Sequence, residues 1–587
     1  MKRLLLLAPF LLAVLPGQIL EDSPRLGSLI RGGNLYLSLQ DAVAIALENN
    51  LDVELQRFGP RFAETEIKRT GSGALPRGVP LSVREGPKSV SGTSADILAP
   101  LLGPGSDTNL SVVGQTPLTI GTPPPSLDPV LTGRIIRNHS TAPQTNSFAA
   151  GTPVLMTDTS TWNFGWQKGF LSGGALSASF ENSRQSLNHL RYDVAPFSTS
   201  SFGVSFTQPL LRGFGRALNS RFIRIARNTS GQSDLVFQQQ AISTVAAVIR
   251  LYWDLVGLNE DVKVRREALQ RAEKLLSDNQ EQVDAGTRAP IEVVRARAEV
   301  ARSRRDSIAA ESLVRQQEII LKDYLSRKTV SDPLLVGVRI IPTDPLRVDR
   351  NERVPAAGAM AENALKNRPD IDQARIHIES SRLALRGSKD ALRPSLDLVA
   401  SARNNGLAGD ANPLTLPGAA PHNPDPMLIG GYGTALAQLF RRNYPDYGIG
   451  LQLTIPLKNR AAEADYARDS LALRQQELRL LQLSKQVHVE IQNALIALDQ
   501  ARATLEATER EREFQEQALA AEEEKLAVGA STTFLVVQYQ RDLAQALSAE
   551  VTARAGYVKA RVALHRAAGT LLDTYGVSVV GTDVKFR

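Results

Sequence analysis

The feature that most constrains this chain is that it repeats itself. Twice, a segment of alternating apolar residues ends at a Pro-Leu pair, Pro209-Leu210 and Pro456-Leu457, and runs into a very long helical stretch that stops at a glycine turn. Pro209 lies 77 residues before Gly286 and Pro456 lies 73 before Gly529, so two hairpins of nearly equal reach can stand side by side with their turns level. From about Ala217 to Ala285 no proline interrupts, and Ile242, Val245, Ile249, Tyr252 and Val256 step by three and four. The second stretch, about Ala461 to Ala527, places Val487, Ile491, Ala494, Leu498, Ala501 and Leu505 in the same rhythm, a heptad seam. At ~1.5 Å per residue each would be on the order of 100 Å long. Gly286-Thr287-Arg288-Ala289-Pro290 and Gly529-Ala530-Ser531-Thr532-Thr533 are the reversals, after which helix resumes to about Ser326 and about Gly569.

A shorter helix opens each unit. The first runs from Leu37 to about Arg69, with Ser38 placed to cap it and Asp41 in its first turn, and the second from about Ala356 to Lys389. In the second unit Leu396, Leu398, Ala400 and Ala402 alternate, as do Tyr447, Ile449, Leu451, Leu453 and Ile455, around a Gly/Pro/Asn-rich loop from Asn404 to Asn443. In the first unit Leu176, Ala178 and Phe180 match Phe202, Val204 and Phe206, with the polar stretch Asn182 to Ser201 read as a solvated loop between them. One additional alternating segment, Trp162, Phe164 and Trp166, stands in front. Residues 71–160, rich in Gly, Pro, Ser and Thr and carrying Pro123-Pro124-Pro125, read as a long irregular insertion. The expected divisions are a signal peptide at 1–20, a first repeat at 35–326 that contains the insertion, a linker or equatorial segment at 327–354, a second repeat at 355–575 and a tail at 576–587.

Lys2 and Arg3 precede an apolar run from Leu4 to Leu15 that is too short to span a bilayer, the form of a secretory signal, with cleavage expected between Gly17 and Leu20. No later stretch offers about 18 uninterrupted apolar residues, so any membrane crossing must use strands. Each unit supplies about two strands of roughly ten residues, a length that suits a tilted strand across an outer membrane. Four strands cannot close on themselves, and an open sheet edge leaves backbone groups unsatisfied in hydrocarbon. Several copies must therefore pool their strands, and helices with narrow apolar seams must bury them on neighbours, which makes a tubular wall.

Chemistry is sparse. The net charge of +7 and pI near 9.5 come from basic residues interleaved with acidic ones, as in Arg265 to Lys274 and Glu506 to Glu516, the pattern of solvated helix faces; no nucleic-acid partner is expected. With no cysteine there is neither a disulfide framework nor a thiolate metal site. His139, His189, His377, His422, His488 and His565 are scattered, so no metal is expected. Gly213-Phe214-Gly215 follows a strand, but Leu218 stands where a dinucleotide loop needs its third glycine. No nucleotide loop or catalytic constellation appears, so neither a cofactor nor an enzymatic activity is expected. Asp278, Glu281 and Asp284 approach the first turn and Glu522, Glu523 and Glu524 the second; copied around an axis, those pointing inward would form an acidic ring that favours cations, a candidate gate, while those pointing outward are ordinary solvated helix ends. Arg288 can pair with these carboxylates or meet a partner.

Leu39-Gln40-Asp41-Ala42 through Leu47-Glu48-Asn49-Asn50, Gln208-Pro209-Leu210-Leu211-Arg212-Gly213-Phe214-Gly215, Asn367-Arg368-Pro369-Asp370-Ile371, Pro394, Ile455-Pro456-Leu457 and Val528-Gly529, taken in this order, resemble the TolC-like outer-membrane efflux family. The resemblance covers nearly all the chain outside the insertion. It implies a mainly α protein with a small membrane β part, built as a homotrimer: a barrel of twelve strands continued by a periplasmic α-helical tunnel, in the outer membrane of a Gram-negative-type bacterium. It also implies that a periplasmic adaptor and an inner-membrane pump of RND, ABC or MFS type open the closed tip, with the two turns as the docking surface. The expected function is a passive outer-membrane duct of a tripartite efflux or type I secretion system. The alternative is a non-conducting, periplasm-spanning coiled-coil scaffold, which would not need four membrane-length strands. The long insertion, the extra segment at Trp162 to Trp166, and turns that lack the full Arg-Leu-Ser-like motif of many relatives depart from the family pattern.

Overall fold

The structure of the protein is a computed structural model that describes residues 21–87, 89–90, 121–328, 335–346, 348, 355–416, 418–581 and 583–586. The expected signal peptide at 1–20 and parts of the insertion and of the 327–354 linker lie outside these residues. In chain order the main helices are α1 (Leu39–Asn49), α2 (Leu51–Gly71), α3 (Arg221–Asp284), α4 (Pro290–Leu325), α5 (Ala357–Asn367), α6 (Pro369–Ala391), α7 (Tyr432–Arg441), α8 (Arg460–Ala527) and α9 (Thr533–Ala568).

Both opening helices, expected to be continuous, are broken once. Asn50 is extended and caps α2 through its own side chain, whose Oδ1 accepts from the amides of Asp52 and Val53. Arg368 breaks the second because a residue before proline is pushed out of the helical region. The first long helix likewise begins at Arg221, after a four-residue helical turn (Arg216–Asn219) that ends at Ser220.

At 36 residues each, α4 and α9 are about half the length of the α3 and α8 they reverse. The remaining half of each long helix is covered by α2 or α6, laid end to end with the returning helix. The side chains of Asn49 and Asn50 donate to the carbonyls of Leu325 and Tyr324 at the first joint. At the second, Arg368 donates to the Ala567 carbonyl and to Glu490.

The core sits at this midsection. Phe237, Ala241, Val245, Val248, Ile249, Leu251, Tyr252 and Leu255 are buried on every side of α3, against Ala42 to Leu47 of α1, Leu321 and Leu325 of α4, and Tyr557 and Val562 of α9. Asn34–Leu37 pairs in parallel with Arg339–Pro342 of the linker and adds Leu35, Leu37 and Ile340 to the same cluster. This stretch of α3 is apolar enough to cross a membrane, yet 78% of its most apolar window is buried within the fold, the property of a core helix.

Among the described residues the main sheet holds six antiparallel strands in sequential order: β1 (Val130–Pro143), β2 (Val154–Gly169), β3 (Ala175–Leu187), β4 (Val194–Pro209), β5 (Ser395–Ala411) and β6 (Tyr444–Thr454). Two expectations are corrected here. The 71–160 segment is not irregular throughout, since it contributes β1 and the first half of β2; the neighbouring Ile135-Ile136 and the charges Arg134 and Arg137 blur the alternation by which a strand is recognised. The stretch from Asn182 to Ser201 is a solvated loop only around 188–193. Its flanks continue the ladder, with Ser183 opposite Thr199 and Arg184 opposite Ser198, because backbone pairing needs no apolar side chain. The C-terminal tail adds a small antiparallel pair, Val577–Val580 with Asp583–Phe586.

Candidate functional site

The register of the sheet sorts its residues into two faces. Following the pairs across all six strands, one face carries Leu131 and Ile135 of β1, Trp162, Phe164 and Trp166 of β2, Leu176, Ala178 and Phe180 of β3, and Phe202, Val204 and Phe206 of β4. It continues through Leu396, Leu398, Ala400 and Ala402 of β5 to Tyr447, Ile449, Leu451 and Leu453 of β6. The belt runs from edge to edge and steps along the strands toward the helices, from Leu131 and Trp166 on β1 and β2 to Leu396 and Leu453 on β5 and β6, as tilted strands require. From Tyr447 to Ile455 its height is eight residue steps, roughly 26 Å along the strand and about 20 Å after tilting, close to the ~25 Å apolar band of outer-membrane barrels.

The opposite face is polar: Thr132, Asn163, Gln167, Ser177, Ser179, Glu181, Ser201, Ser205, Arg403, Asp397 and Gln452. Arg403 lies across it, donating to Glu181 at 2.8 Å and to the Ser201 hydroxyl at 2.7 Å. A half-open hollow of ≈ 620 Å³ is lined by Thr161, Glu181, Ser183, Thr199 and Arg403 among others. A sheet apolar on one face and polar on the other has the two-faced pattern of strands in outer-membrane barrels.

At the far ends of the long helices the two turns lie together. Gly286 and Gly529 take φ of +72° and +76°, the left-handed region that an L side chain enters only with strain. In the first turn Thr287 donates its hydroxyl to the Gln282 carbonyl at 2.8 Å. Half-buried Arg288 reaches out of that turn to Asn279 Oδ1 at 2.9 Å and to Thr533 Oγ1 of the second hairpin at 2.6 Å. The arginine thus clasps one tip to the other. In the second turn Ser531 donates to Glu522, which also pairs with Lys525 at 3.0 Å. The Ser531 hydroxyl and Lys525 ammonium together hold the Glu522 carboxyl below the usual carboxylate range. Ala289, Pro290, Ala530 and Thr532 are exposed at the same end.

Of the six acidic candidates, Asp278, Glu281, Asp284, Glu523 and Glu524 are exposed, and Asp284 accepts from Gln280. Glu522 is different: it is buried and its oxygens close the turn. The clasp continues up the molecule, where sequence periodicity gives no sign of it. Arg541 of α9 pairs with Glu299 of α4, Ser548 of α9 donates to Asp261 of α3, and half-buried Lys559 of α9 meets buried Asp254 of α3 at 2.7 Å. Only the separation in sequence hides these partners, since each lies 242 or more positions from its mate.

The histidines are dispersed over the fold, His139 on Asp158, His422 on Asp193 and the Leu190 carbonyl, and His488 on the Ser484 carbonyl. Among the described residues no group of three or more His, Asp or Glu side chains is arranged to hold a metal.

A family model described as outer membrane efflux protein matches residues 175–327 and 360–570, more than half of the chain. The first matched stretch opens on β3, so β1 and β2 fall outside it. No curated protein matches the chain by sequence. Solved structures share its fold: the CmeC outer membrane channel of Campylobacter jejuni, at 14% identity over 91% of this chain and 86% of that one, has a TM-score of 0.56. The outer membrane protein VceC of Vibrio cholerae gives 13% identity, 90% and 96% coverage and 0.54. The open state of the MtrE outer membrane channel of Neisseria gonorrhoeae gives 15%, 91% and 89%, and 0.53. With a belted sheet above and paired helical hairpins below, the chain belongs to the outer membrane efflux protein family, channels that sit in the outer membrane and extend into the periplasm.

Proposed function

We propose that three copies of this chain close into one passive duct, docked through its hairpin turns to a periplasmic adaptor that couples it to an inner-membrane pump. The protein is the outer-membrane channel component of an efflux system. The single observation that carries the assembly is that each flank of the chain is open in both of its parts. On the flank of the first repeat, the edge of β1 is exposed, and Leu51, Leu55, Phe58 and Phe62 of α2 and Ile291 and Val294 of α4 face outward. On the flank of the second, β6 is exposed throughout, and Leu471, Leu478, Leu481, Ile496 and Phe514 of α8 face outward. Apolar stripes of this length and unpaired strand edges both require a neighbour, and the second flank of one copy fits the first flank of the next. A scaffold that conducts nothing would leave the apolar belt and polar hollow without a role.

At the tips, Gly286, Thr287, Ala289, Pro290, Gly529, Ala530 and Thr532 present a small, uncharged rim suited to the approach of another helical hairpin. Asp278, Glu281, Asp284, Glu523 and Glu524 stand just behind it, where copies around an axis would favour cations. Transport energy comes from the pump, whether RND, ABC or MFS in type, and the cargo is a small molecule or a protein.

The test has two parts. The mature protein is expected to run as a trimer in mild detergent and to conduct in planar bilayers; a stable non-conducting monomer would refute the duct. Thr287→Glu combined with Thr532→Glu is expected to keep the trimer but to weaken adaptor capture and drug resistance together. Unchanged capture and resistance at normal trimer level would remove the rim as the docking surface.

A further inference from the structure

We infer that the transmembrane barrel is built from six strands per copy rather than four, with β1 of each copy pairing to β6 of the next, so that a trimer closes on eighteen strands. The inference rests on the trimeric reading above and concerns which edge of the sheet meets the neighbour.

Closure with four strands per copy would use β3, β4, β5 and β6, and the edge of β3 would have to be free to receive β6 of another copy. That edge is occupied. β2 is paired to β3 from Thr157–Leu187 down to Gly169–Ala175, and β1 is paired to β2 along its whole length, from Val130–Gln167 to Pro143–Val154. Asn182 of β3 adds side-chain hydrogen bonds to the same edge, donating Nδ2 to the Trp162 carbonyl while its amide donates to Asn163 Oδ1. Removing β2 would expose that backbone to hydrocarbon, where each unsatisfied group costs several kcal/mol.

The side chains of the added hairpin carry the same message. Leu131 and Trp166 share a rung with Ala178, Val204, Ala402 and Tyr447, and Phe164 shares one with Phe180 and Phe202, while Ile135 and Trp162 lie one rung beyond, beside Asn182 and Tyr432; Thr132, Asn163 and Gln167 join the polar face. A hairpin lying outside the membrane has no use for Leu131, Phe164 and Trp166 on one face, on the rungs of Phe180, Phe202 and Tyr447. Because six is even, β6 of one copy meets β1 of the next antiparallel, as every other pair in the sheet does.

Dimensions agree. Each copy brings four helical columns to the tube, namely α3, α8, α2 with α4, and α6 with α9. At 8–10 Å between axes these occupy roughly 32–40 Å of perimeter. Six strands about 4.8 Å apart and tilted by about 40° occupy about 38 Å, and four occupy only about 25 Å. The wider sheet therefore meets the tube without a taper. Barrel diameter grows about in proportion to strand number, so the mouth would be about 1.5-fold wider than a twelve-strand barrel of the same tilt.

The chain has no cysteine, which makes disulfide mapping direct. The full-length protein would carry one cysteine on the polar face of β1 (Val130→Cys, Thr132→Cys or Arg134→Cys) and one on that of β6 (Gly448→Cys, Gly450→Cys or Gln452→Cys), in all combinations. Gly450 has open space where a side chain would go. The comparison set replaces the β1 position by Ser177→Cys or Ser179→Cys on β3. Combinations that assemble are oxidised and run on non-reducing gels, with light scattering reporting the oligomer. The expected result is a shift of the β1–β6 set from monomer to trimer, with the β3–β6 set unshifted. Bridging in the β3–β6 set, or no bridging in either set in an intact trimer, would overturn the eighteen-strand barrel and leave the trimeric duct standing. Absence of a trimer in the cysteine-free protein would remove the duct reading as well.

Discussion

The two long helices come from equivalent places in the repeat and have nearly the same length, 64 residues in α3 and 68 in α8, yet they do different work. α3 is buried almost all round between Phe237 and Val256 and carries the core; α8 buries a single seam, chiefly Val487, Ile491, Ala494, Leu498 and Leu505, and leaves Leu471, Leu478, Leu481 and Ile496 open. The two repeats thus carry one helix that holds the monomer together and one whose apolar stripe is left open. The tips differ in the same spirit. The first is tied by an arginine that crosses to the other hairpin, and the second is closed internally by a carboxylate.

This contrast can be broken by substitution. The largest effect belongs to Leu251→Asp, which places an unpaired charge in the fully buried middle of α3 and is expected to cost more than ~4 kcal/mol, abolishing folded protein by circular dichroism and expression level. Lys559→Met strands Asp254 without its partner in a buried setting. A loss of ~3–5 kcal/mol in urea unfolding is expected, and a loss below ~1 kcal/mol would mean that water reaches the pair. Arg288→Ala removes two charge-assisted hydrogen bonds, one within the first hairpin and one across the tips, worth about 1.5–3 kcal/mol together at this half-buried site. It should loosen the turns specifically, read as faster hydrogen exchange there with the midsection unchanged.

The closure of the second turn is expected to depend on pH. The folded Glu522 carboxyl titrates below its ordinary value, so its contribution is complete above the unfolded value near 4.3 and is lost as pH falls through the lower, folded value. Exchange protection at Gly529 to Thr533 should therefore fall below about pH 4, and Ser531→Ala should flatten that dependence. The first turn, tied by Arg288, Asn279 and Thr533, should show no such step. The smallest effect on the fold itself belongs to Ile496→Asp, on the open side of α8. It should change monomer stability by no more than ~0.5 kcal/mol while sharply reducing trimer yield. A large loss of helix in that variant would show that the two long helices are not divided in the way described.

Much of this architecture is legible in the amino-acid sequence. The heptad seam of α8 predicts Val487, Ile491, Ala494, Leu498, Ala501 and Leu505 as its buried residues; all are buried except Ala501, which is half-buried. Ser38 caps the first helix as expected, and both glycine turns fall where helical periodicity stops. The alternating residues of β3, β4, β5 and β6 mark the apolar belt correctly. β1 escapes a reading by pattern because a weakly alternating strand, with adjacent isoleucines and arginines inside a Gly/Pro-rich stretch, carries too little periodicity of its own. The polar ends of β3 and β4 escape it for a related reason: above the belt, where both faces meet water, nothing forces alternation.

What the sequence by itself determined is everything set by periodicity and turn chemistry: two repeats, two long hairpins of matched reach, and strands of membrane length. These depend on side chains within a few residues of each other, and a helix or strand repeats its buried face at a constant step. What only the tertiary structure decided is who neighbours whom. It placed the added hairpin against β3, set Arg288 on Thr533, and buried Glu522 while leaving its sequence neighbours exposed. Such pairings join residues tens to hundreds of positions apart. They are selected by the need to satisfy every backbone group at an edge and every charge in a buried place, a condition on the whole fold that no local pattern records.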